Sequence, residues 1–180
     1  MVKMKYNENY LNKIIENRII FLNGEINNES ANEVIMQLLY LDSINNNDIK
    51  LYINSNGGDV VQGLAIIDCI NTIKSNVKTV CVGACYSMAA IILMCGTKGK
   101  RMMLPNSEIM IHEVSGTLVG KFNDISLSKE RMNEKNNKII SLIVEKTKLK
   151  KNEVIKMLNK DTFLNSNKSL LYGFIDNVIL

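Results

Sequence analysis

Short apolar runs alternate with amphipathic segments along most of the chain, and this alternation predicts strands and helices in turn. The apolar runs predict strands at Arg18–Leu22, Ile49–Asn54, Lys78–Gly83 and Glu108–His112. The helical spacing of apolar residues predicts helices at about Glu29–Tyr40, Val60–Ile73, Met88–Cys95 and Asn152–Leu158. Because parallel strands need a crossover between them, usually a helix, this order predicts an α/β domain with a largely parallel sheet.

Two local features of the pattern make the prediction more specific. The dipeptide Asn23–Gly24 predicts a turn after the first strand, since both residue types favour turn conformations. The first long helix carries its apolar side chains on one predicted face, which consists of Ala31, Val34, Ile35, Leu38 and Leu39.

The pattern changes after residue 112. Ser115–Phe122 is an extended-looking stretch with two glycines, and a long helical pattern follows from Asp124 to about Lys146. The first half of that helix has so few apolar residues that it is poorly suited to packing on its own core. Two interpretations stay open, an exposed helix and a projection that packs on another copy. The few apolar positions are Ile125, Leu127 and Met132.

Composition narrows the class of protein. A length of 180 residues suits one domain, and the net charge of +4 comes from scattered lysines with only 6% aromatic residues. That distribution indicates a solvated basic surface and not a nucleic-acid site. The four cysteines form no C-x-x-C pair and there is one histidine, so neither zinc nor a disulfide framework is expected. The polar first residues predict no secretory signal.

Ser87 is the strongest candidate for chemistry, because it stands where the strand Lys78–Gly83 gives way to the helix Met88–Cys95. N–H groups at a helix start lack partners, and the helix dipole is positive there, so they can hold an oxyanion. His112, the only histidine, is the candidate base. Two plainer interpretations stay open: serine is a preferred N-cap, and a histidine after an apolar run is often a core residue.

Several motifs, in one order along the chain, resemble the proteolytic subunits of Clp proteases. The resemblance covers about Tyr10 to Leu180. It implies one domain over residues 1–180 with the α/β fold of these proteins, a crotonase-type ββα spiral, and a protruding strand-and-helix handle at about 115–146. The motifs are Leu51–Gly58, Gly83–Ala90, Gly96–Arg101, Leu104–Asn106, Met110–His112, Gly120 with Asp124–Ile125, Asp161–Leu164 and Tyr172–Asp176.

The resemblance carries three catalytic roles onto this sequence. Ser87 aligns with the nucleophile, His112 with the general base, and Asp161 with the residue that orients the histidine. The order Ser, His, Asp differs from the orders in chymotrypsin, subtilisin and the α/β-hydrolases, although the logic of the triad is the same. The residues alone leave other carboxylates open for the orienting role, namely Glu145, Glu153 and Asp176.

Further positions align with the oxyanion hole and with substrate-binding residues of the same family. Gly58 and Met88 match the two backbone N–H donors of the oxyanion hole. A turn that ends a strand is the plainer interpretation of the pair Gly57–Gly58. Residues 115–118 resemble the edge that pairs with an extended peptide. The expected substrate-binding residues are Gly57, Asp59, Ser115, Gly116, Thr117 and Leu118.

The resemblance implies a serine endopeptidase that degrades unfolded proteins to short peptides inside a ring chamber. In the family, two heptameric rings stack as a tetradecamer, and an AAA+ unfoldase uses ATP to feed unfolded chains inside. This sequence has no G-x-x-x-x-G-K-[ST] loop, so we expect no cofactor in the chain and ATP use by the partner. We expect a homo-oligomer, with a paralogue as an alternative ring partner, and neither nucleic acid nor membrane as partner.

Two other functions stay open. Tyr86 and Asp59 stand where the family usually has small or apolar residues, which leaves a non-catalytic ring subunit with a structural or regulatory role as the alternative. A crotonase-type acyl-CoA enzyme would share the fold and oxyanion hole without needing a serine nucleophile.

The composition also bears on location. Abundant Asn, Lys and Ile indicate an AT-rich genome. We therefore expect an organelle matrix or stroma, a relict plastid above all, or otherwise the cytoplasm.

Overall fold

A computed structural model describes residues 8–117 and 119–179. Along these residues seven helices and seven strands follow one another, largely in alternation. Their bounds are α1 Glu8–Glu16, β1 Ile19–Ile26, α2 Asn28–Ile44, β2 Ile49–Gly58, α3 Val60–Thr72, β3 Val77–Tyr86, α4 Met88–Met94, β4 Arg101–Met103, β5 Glu108–Ile111, α5 Phe122–Lys146, α6 Lys151–Leu158, β6 Thr162–Asn165, α7 Ser166–Tyr172 and β7 Asn177–Val178.

The strands form one sheet whose main path has the order β1-β2-β3-β4-β7. Every neighbouring pair along this path is parallel. The strand β5 pairs in parallel with β3, and β6 pairs with β5 in the antiparallel direction. The prediction of an α/β domain with a largely parallel sheet is therefore confirmed, whereas β6 had no counterpart among the predicted strands.

The strand β3 has two partners in succession. Its first half pairs with β4, and its second half, Ala84–Tyr86, pairs with Glu108–Met110 of β5. Gly83 lies between the halves with a φ of +80°, a conformation that glycine adopts without steric cost. This change of partner brings the end of β3 beside the end of β5, and those ends are followed directly by Ser87 and His112.

The helices pack on the sheet through apolar faces. All of α4 is buried, which agrees with its uninterrupted apolar sequence. The buried residues of α2 are Ala31, Val34, Leu38 and Leu41, at helical spacing. Leu39 was expected on that face but is 52% exposed, since it lies about 100° around the helix from Leu38.

Two expectations about local structure are wrong. The strand β1 does not turn at Asn23–Gly24 but continues to Ile26, with a register shift against β2 at this point and a φ of +76° at the glycine. A glycine of this kind makes a bulge, which kinks a strand without ending it. The strand β3 also runs past Gly83 to Tyr86, because pairing with β5 begins where pairing with β4 ends.

The long helix α5 is buried only in its second half. Ile139, Ile140 and Ile143 are its buried residues, whereas every residue from 122 to 131 is exposed. The thin apolar stripe of the sequence thus corresponds to a segment that packs little on its own chain. In the part of the chain that the structure describes, no helix has the length and apolar character that a membrane crossing requires.

Candidate active site

Ser87 and His112 meet at one edge of the sheet. The strands β3 and β5 pair in parallel and end at Tyr86 and Ile111, so the residue after each strand leaves the sheet on the same side. Ser87 Oγ and His112 Nε2 lie 2.9 Å apart, within hydrogen-bond range. The Ser87 N–H donates to the carbonyl of Met110 at 2.8 Å and so fixes the serine backbone against β5. This geometry suits proton transfer from the hydroxyl to the imidazole.

The backbone of Ser87 lies in an unusual conformation. Its φ is 51° and its ψ is −124°, at the position that precedes α4. Holding a non-glycine residue in such a region costs about 1–3 kcal/mol, and a sharp strand-to-helix turn is the geometry that exposes catalytic serines. The Ser87 side chain makes no capping hydrogen bond, so the interpretation of this serine as an ordinary N-cap is wrong.

Gly57 and Gly58 occupy positions where a side chain does not fit. Their φ values are +91° and +150°, which favour glycine. A Cβ atom on Gly57 would lie 2.8 Å from Ser87 Cβ, and one on Gly58 would lie 2.3 Å from the carbonyl oxygen of Ile26. The Gly57 N–H donates to Ser55 Oγ at 3.0 Å. The two glycines thus do more than end a strand, because Gly57 lets the end of β2 lie against the candidate nucleophile and Gly58 lets it lie against β1.

A small cavity of about 60 Å³ joins the candidate catalytic groups. Gly58, Ser87, Met88 and His112 all line it. Met88 begins α4, so its N–H has no acceptor within the helix. Both residues that are predicted to supply oxyanion donors thus line the same cavity as Ser87, and their role as donors stays a prediction.

Asp161 lies near this pair without contacting it. Thr162 pairs with Ile111 as the last pair of β5 and β6, and His112 and Asp161 are the adjoining residues beyond that pair. Asp161 is exposed, and among the described residues it forms no hydrogen bond or ion pair. The structure therefore brings together the serine and the histidine but not the third predicted member, and the orienting role of Asp161 stays a prediction.

Some of the predicted substrate-binding residues line the cavities beside the catalytic pair, and others do not. Ser115 lines the small cavity, and it also lines a neighbouring cavity of about 340 Å³ together with Asp59 and Gly116. Gly57 lines neither cavity, since it lies behind Ser87 as support for the turn. Three of the predicted contacts thus stand where a substrate side chain could reach them.

The predicted substrate-pairing edge is not a strand in this structure. Residues 112–117 have neither strand nor helix hydrogen bonding, and Thr117 lines neither of the two cavities. Leu118, the last predicted contact, lies outside the described residues. An edge segment acquires a ladder only when a partner strand is present, so pairing with a peptide stays a prediction.

A polar contact beside the nucleophile was not expected from the sequence. The Tyr86 hydroxyl donates to Glu108 Oε1 at 2.7 Å, and its ring meets Phe163 edge-on with 5.8 Å between centroids. The bond to Glu108 raises the pKa of Tyr86, so the phenol keeps its proton and stays a donor. Side chains as well as backbone therefore tie together the strands that carry Ser87 and His112. Only the register of β3 against β5, which no local motif encodes, could have indicated this pair.

Two of the buried thiols, Cys85 and Cys95, are unsuited to act as alternative nucleophiles. Burial raises the pKa of Cys85 and raises the pKa of Cys95 to about 12. Both groups are therefore neutral thiols near pH 7, and the thiolate is the reactive form of cysteine. Across residues 8–117 and 119–179 no three His, Cys, Asp or Glu side chains stand together in a way that could hold a metal ion.

Comparison with known proteins points to one family. The sequence model described as Clp protease matches residues 3–180. The chain is also similar to the ATP-dependent Clp protease proteolytic subunit of Carsonella ruddii (strain PV), with 40% identity over 167 residues, which cover 93% of this chain and 86% of that relative. A match of this extent includes the strands, the turn at Ser87 and the histidine described above. The chain belongs to the Clp protease family.

Proposed function

We propose that this chain is the proteolytic subunit of an ATP-dependent Clp protease, a serine endopeptidase with Ser87 as its nucleophile and His112 as its general base. The family match supports the reaction, and the arrangement of the residues supports the assignment of roles. One observation carries that assignment: Ser87 Oγ lies 2.9 Å from His112 Nε2 and makes no bond to its own helix.

The proposed reaction uses these groups in two half-reactions. Ser87 Oγ attacks the carbonyl carbon of the peptide bond while His112 Nε2 takes the hydroxyl proton. The N–H groups of Gly58 and Met88 donate to the oxyanion of the tetrahedral intermediate. When the C–N bond breaks, His112 gives its proton to the leaving amine, and an ester remains on Ser87. Water then attacks the ester with His112 as base, which releases the carboxylate product and restores the serine hydroxyl.

Asp161 has the orienting role in this proposal. For the Ser87 hydroxyl to donate to Nε2, the ring proton of His112 must be on Nδ1, and a carboxylate that accepts from Nδ1 fixes this tautomer. The ladder of β5 and β6 ends at Ile111 and Thr162, the chain neighbours of His112 and Asp161, and this proximity in the fold supports the assignment.

Hydrolysis of an unstructured, internally quenched peptide tests the proposal. We expect the wild-type chain to cleave it and Ser87→Ala to lose about 10⁶ in kcat, as when the nucleophile of a comparable triad is removed. Ser126→Ala, which removes an exposed hydroxyl from α5, is the control and should keep full activity. Equal rates for wild type and Ser87→Ala would overturn the role of Ser87, and a wild type without hydrolysis would favour the non-catalytic ring subunit.

Membership of the Clp protease family implies association with an ATP-dependent unfoldase. In the proposal the ATP is used by that partner, and this chain needs no cofactor of its own. Two heptameric rings, stacked as a tetradecamer, are the proposed assembly, with a paralogue as an alternative ring partner. The exposed first half of α5 supports assembly, because its apolar side chains find little to pack on in their own chain. An organelle matrix or stroma stays the proposed location.

A further inference from the structure

The cavity of about 340 Å³ opens directly beside the catalytic cavity. The two cavities share four lining residues, Gly58, Val60, Val114 and Ser115. A peptide whose carbonyl is held at Ser87 would therefore place a neighbouring side chain in the larger cavity. Its volume lies within the range of about 300–1,000 Å³ that is usual for small-ligand sites, so a whole side chain can enter.

The wall that α5 contributes to this cavity carries two cationic side chains. Arg131 and Lys135 are four residues apart, so they lie on the same face of the helix, and both line the cavity. Neither forms an ion pair with any of the described residues. Like charges at this spacing destabilise a helix when no anion lies between them.

The rest of the lining carries enough negative charge to offset only one of these two positive charges. Asp59 is the one carboxylate among the described residues that line the cavity. Its Oδ1 accepts from the N–H of Gln62 at 2.9 Å and caps α3, and it makes no ion pair with Arg131 or Lys135. The cavity thus has one positive charge in excess, and Ser128 adds a hydroxyl on the cationic side.

From this arrangement we infer that the cavity is a specificity subsite for an acidic side chain of the substrate, within two residues of the cleaved bond. The inference rests on the proposed function. A Glu or Asp carboxylate between Arg131 and Lys135 accepts charge-assisted hydrogen bonds from both and relieves their mutual repulsion. The subsite takes no part in bond breaking, and its effect is to favour cleavage of segments that carry an acidic residue beside the scissile bond.

A matched set of quenched peptides tests this inference, with Glu, Gln or Lys placed in turn at the two positions on each side of the cleaved bond. At one position we expect wild-type kcat/KM to be about two- to fivefold higher for Glu than for Gln, which is typical of an exposed charge pair. Lys at that position should be worse than Gln. The Glu preference should shrink in 1 M salt, where the screening length is about 3 Å.

Two double variants separate this subsite from a general effect of charge. In Arg131→Gln with Lys135→Gln we expect the Glu-to-Gln ratio of kcat/KM to fall to about 1. Lys129→Gln with Lys138→Gln makes the same charge change on exposed positions of α5 away from the cavity, and should keep the wild-type ratio. Equal rates for Glu and Gln at every position, or a preference that survives in the first variant, would overturn the subsite alone. A wild type that cleaves none of the peptides would overturn the proposed function as well.

Discussion

Ser87 departs from the usual role of a serine at the start of a helix. An N-cap serine has extended backbone angles and accepts from the N–H groups of its helix, whereas Ser87 has positive φ and directs its hydroxyl to His112. The strain at this residue is maintained by the hydrogen bond from its N–H to Met110 and by the close approach of Gly57. The position of the nucleophile therefore depends on residues that have no chemical role themselves.

Gly57→Ala tests this dependence. The added Cβ would lie 2.7 Å from the Tyr86 carbonyl oxygen and 2.8 Å from Ser87 Cβ, so the turn must shift. Because a displacement of about 1 Å at a reacting atom costs about 100-fold, we expect kcat/KM for peptide hydrolysis to fall at least that far.

Gly99→Ala is the matched control for that variant. Gly99 has a similar φ of +84°, but a Cβ there meets nothing within 4 Å. We expect a loss of about 1 kcal/mol in unfolding free energy from backbone strain, with hydrolysis unchanged. Equal activities of the two variants would show that the close contact at Gly57 does not position the serine.

The sequence alone could predict the place of some functional side chains but not of others. Ser87 and His112 could be predicted because each follows an apolar strand and belongs to a motif of adjacent residues. The contact between Tyr86 and Glu108 depends on the register of two strands. The cationic wall of the larger cavity depends likewise on how α5 packs against residues about 70 positions earlier, and neither arrangement leaves a local pattern.

At the scale of helices and strands, the alternation of apolar and amphipathic segments predicted most elements. An amphipathic helix repeats its apolar residues every three or four positions, whereas a strand buried on both faces is a short continuous apolar run. The extension of β3 and the existence of β6 could not be predicted. Pairing with β5 decides both, and it joins β5 to residues 24 positions earlier in β3 and more than 50 positions later in β6. The sequence predicts a turn where the structure has a bulge at Gly24, because both features use a glycine at positive φ.

An ion pair reinforces the backbone pairing of the last strand, β7, with β4. Arg101 at the start of β4 donates from Nη2 to Asp176 Oδ1 at 2.6 Å and from Nε to Oδ2 at 2.9 Å, and it is 5% exposed. Asp176→Asn leaves that guanidinium buried without a carboxylate, so we expect a loss of about 3 kcal/mol in unfolding free energy, measured with urea. Asp68→Asn, at an exposed position on α3, should cost less than about 0.5 kcal/mol.

The difference in unfolding free energy between wild type and Asp176→Asn depends on pH through the pKa of Asp176. Burial acts to raise that pKa, but hydrogen bonds from Arg101 outweigh burial and the pKa is lowered on balance. A lowered pKa means that the stabilisation is fully present above the ordinary carboxylate value of about 4 and is lost as pH falls through the lowered value. The gap between wild type and Asp176→Asn should therefore be constant near neutrality and shrink below about pH 4. A gap that grows on acidification would contradict this account.

At the scale of the whole molecule, the first half of α5 lies outside the core formed by the described residues. Leu127 lies in that half and is 57% exposed. In the proposed double ring α5 packs on a second copy, so Leu127→Asp should reduce the native mass of the assembly. The unfolding free energy of the chain itself should change by less than about 0.5 kcal/mol. Ser126→Asp adds the same charge on the adjacent residue and is the control. An unchanged native mass in both variants would place the assembly contact elsewhere.

The most direct test of the central claim is labelling with a fluorophosphonate probe, with the modified residue identified by mass spectrometry. An activated serine displaces fluoride and forms a bond from Oγ to phosphorus, whereas an ordinary serine does not react. We expect a single modification at Ser87, which is absent from Ser87→Ala and much slower to form in His112→Ala. Failure of the folded wild-type chain to react, or reaction at another residue, would contradict the assignment of Ser87 as the nucleophile.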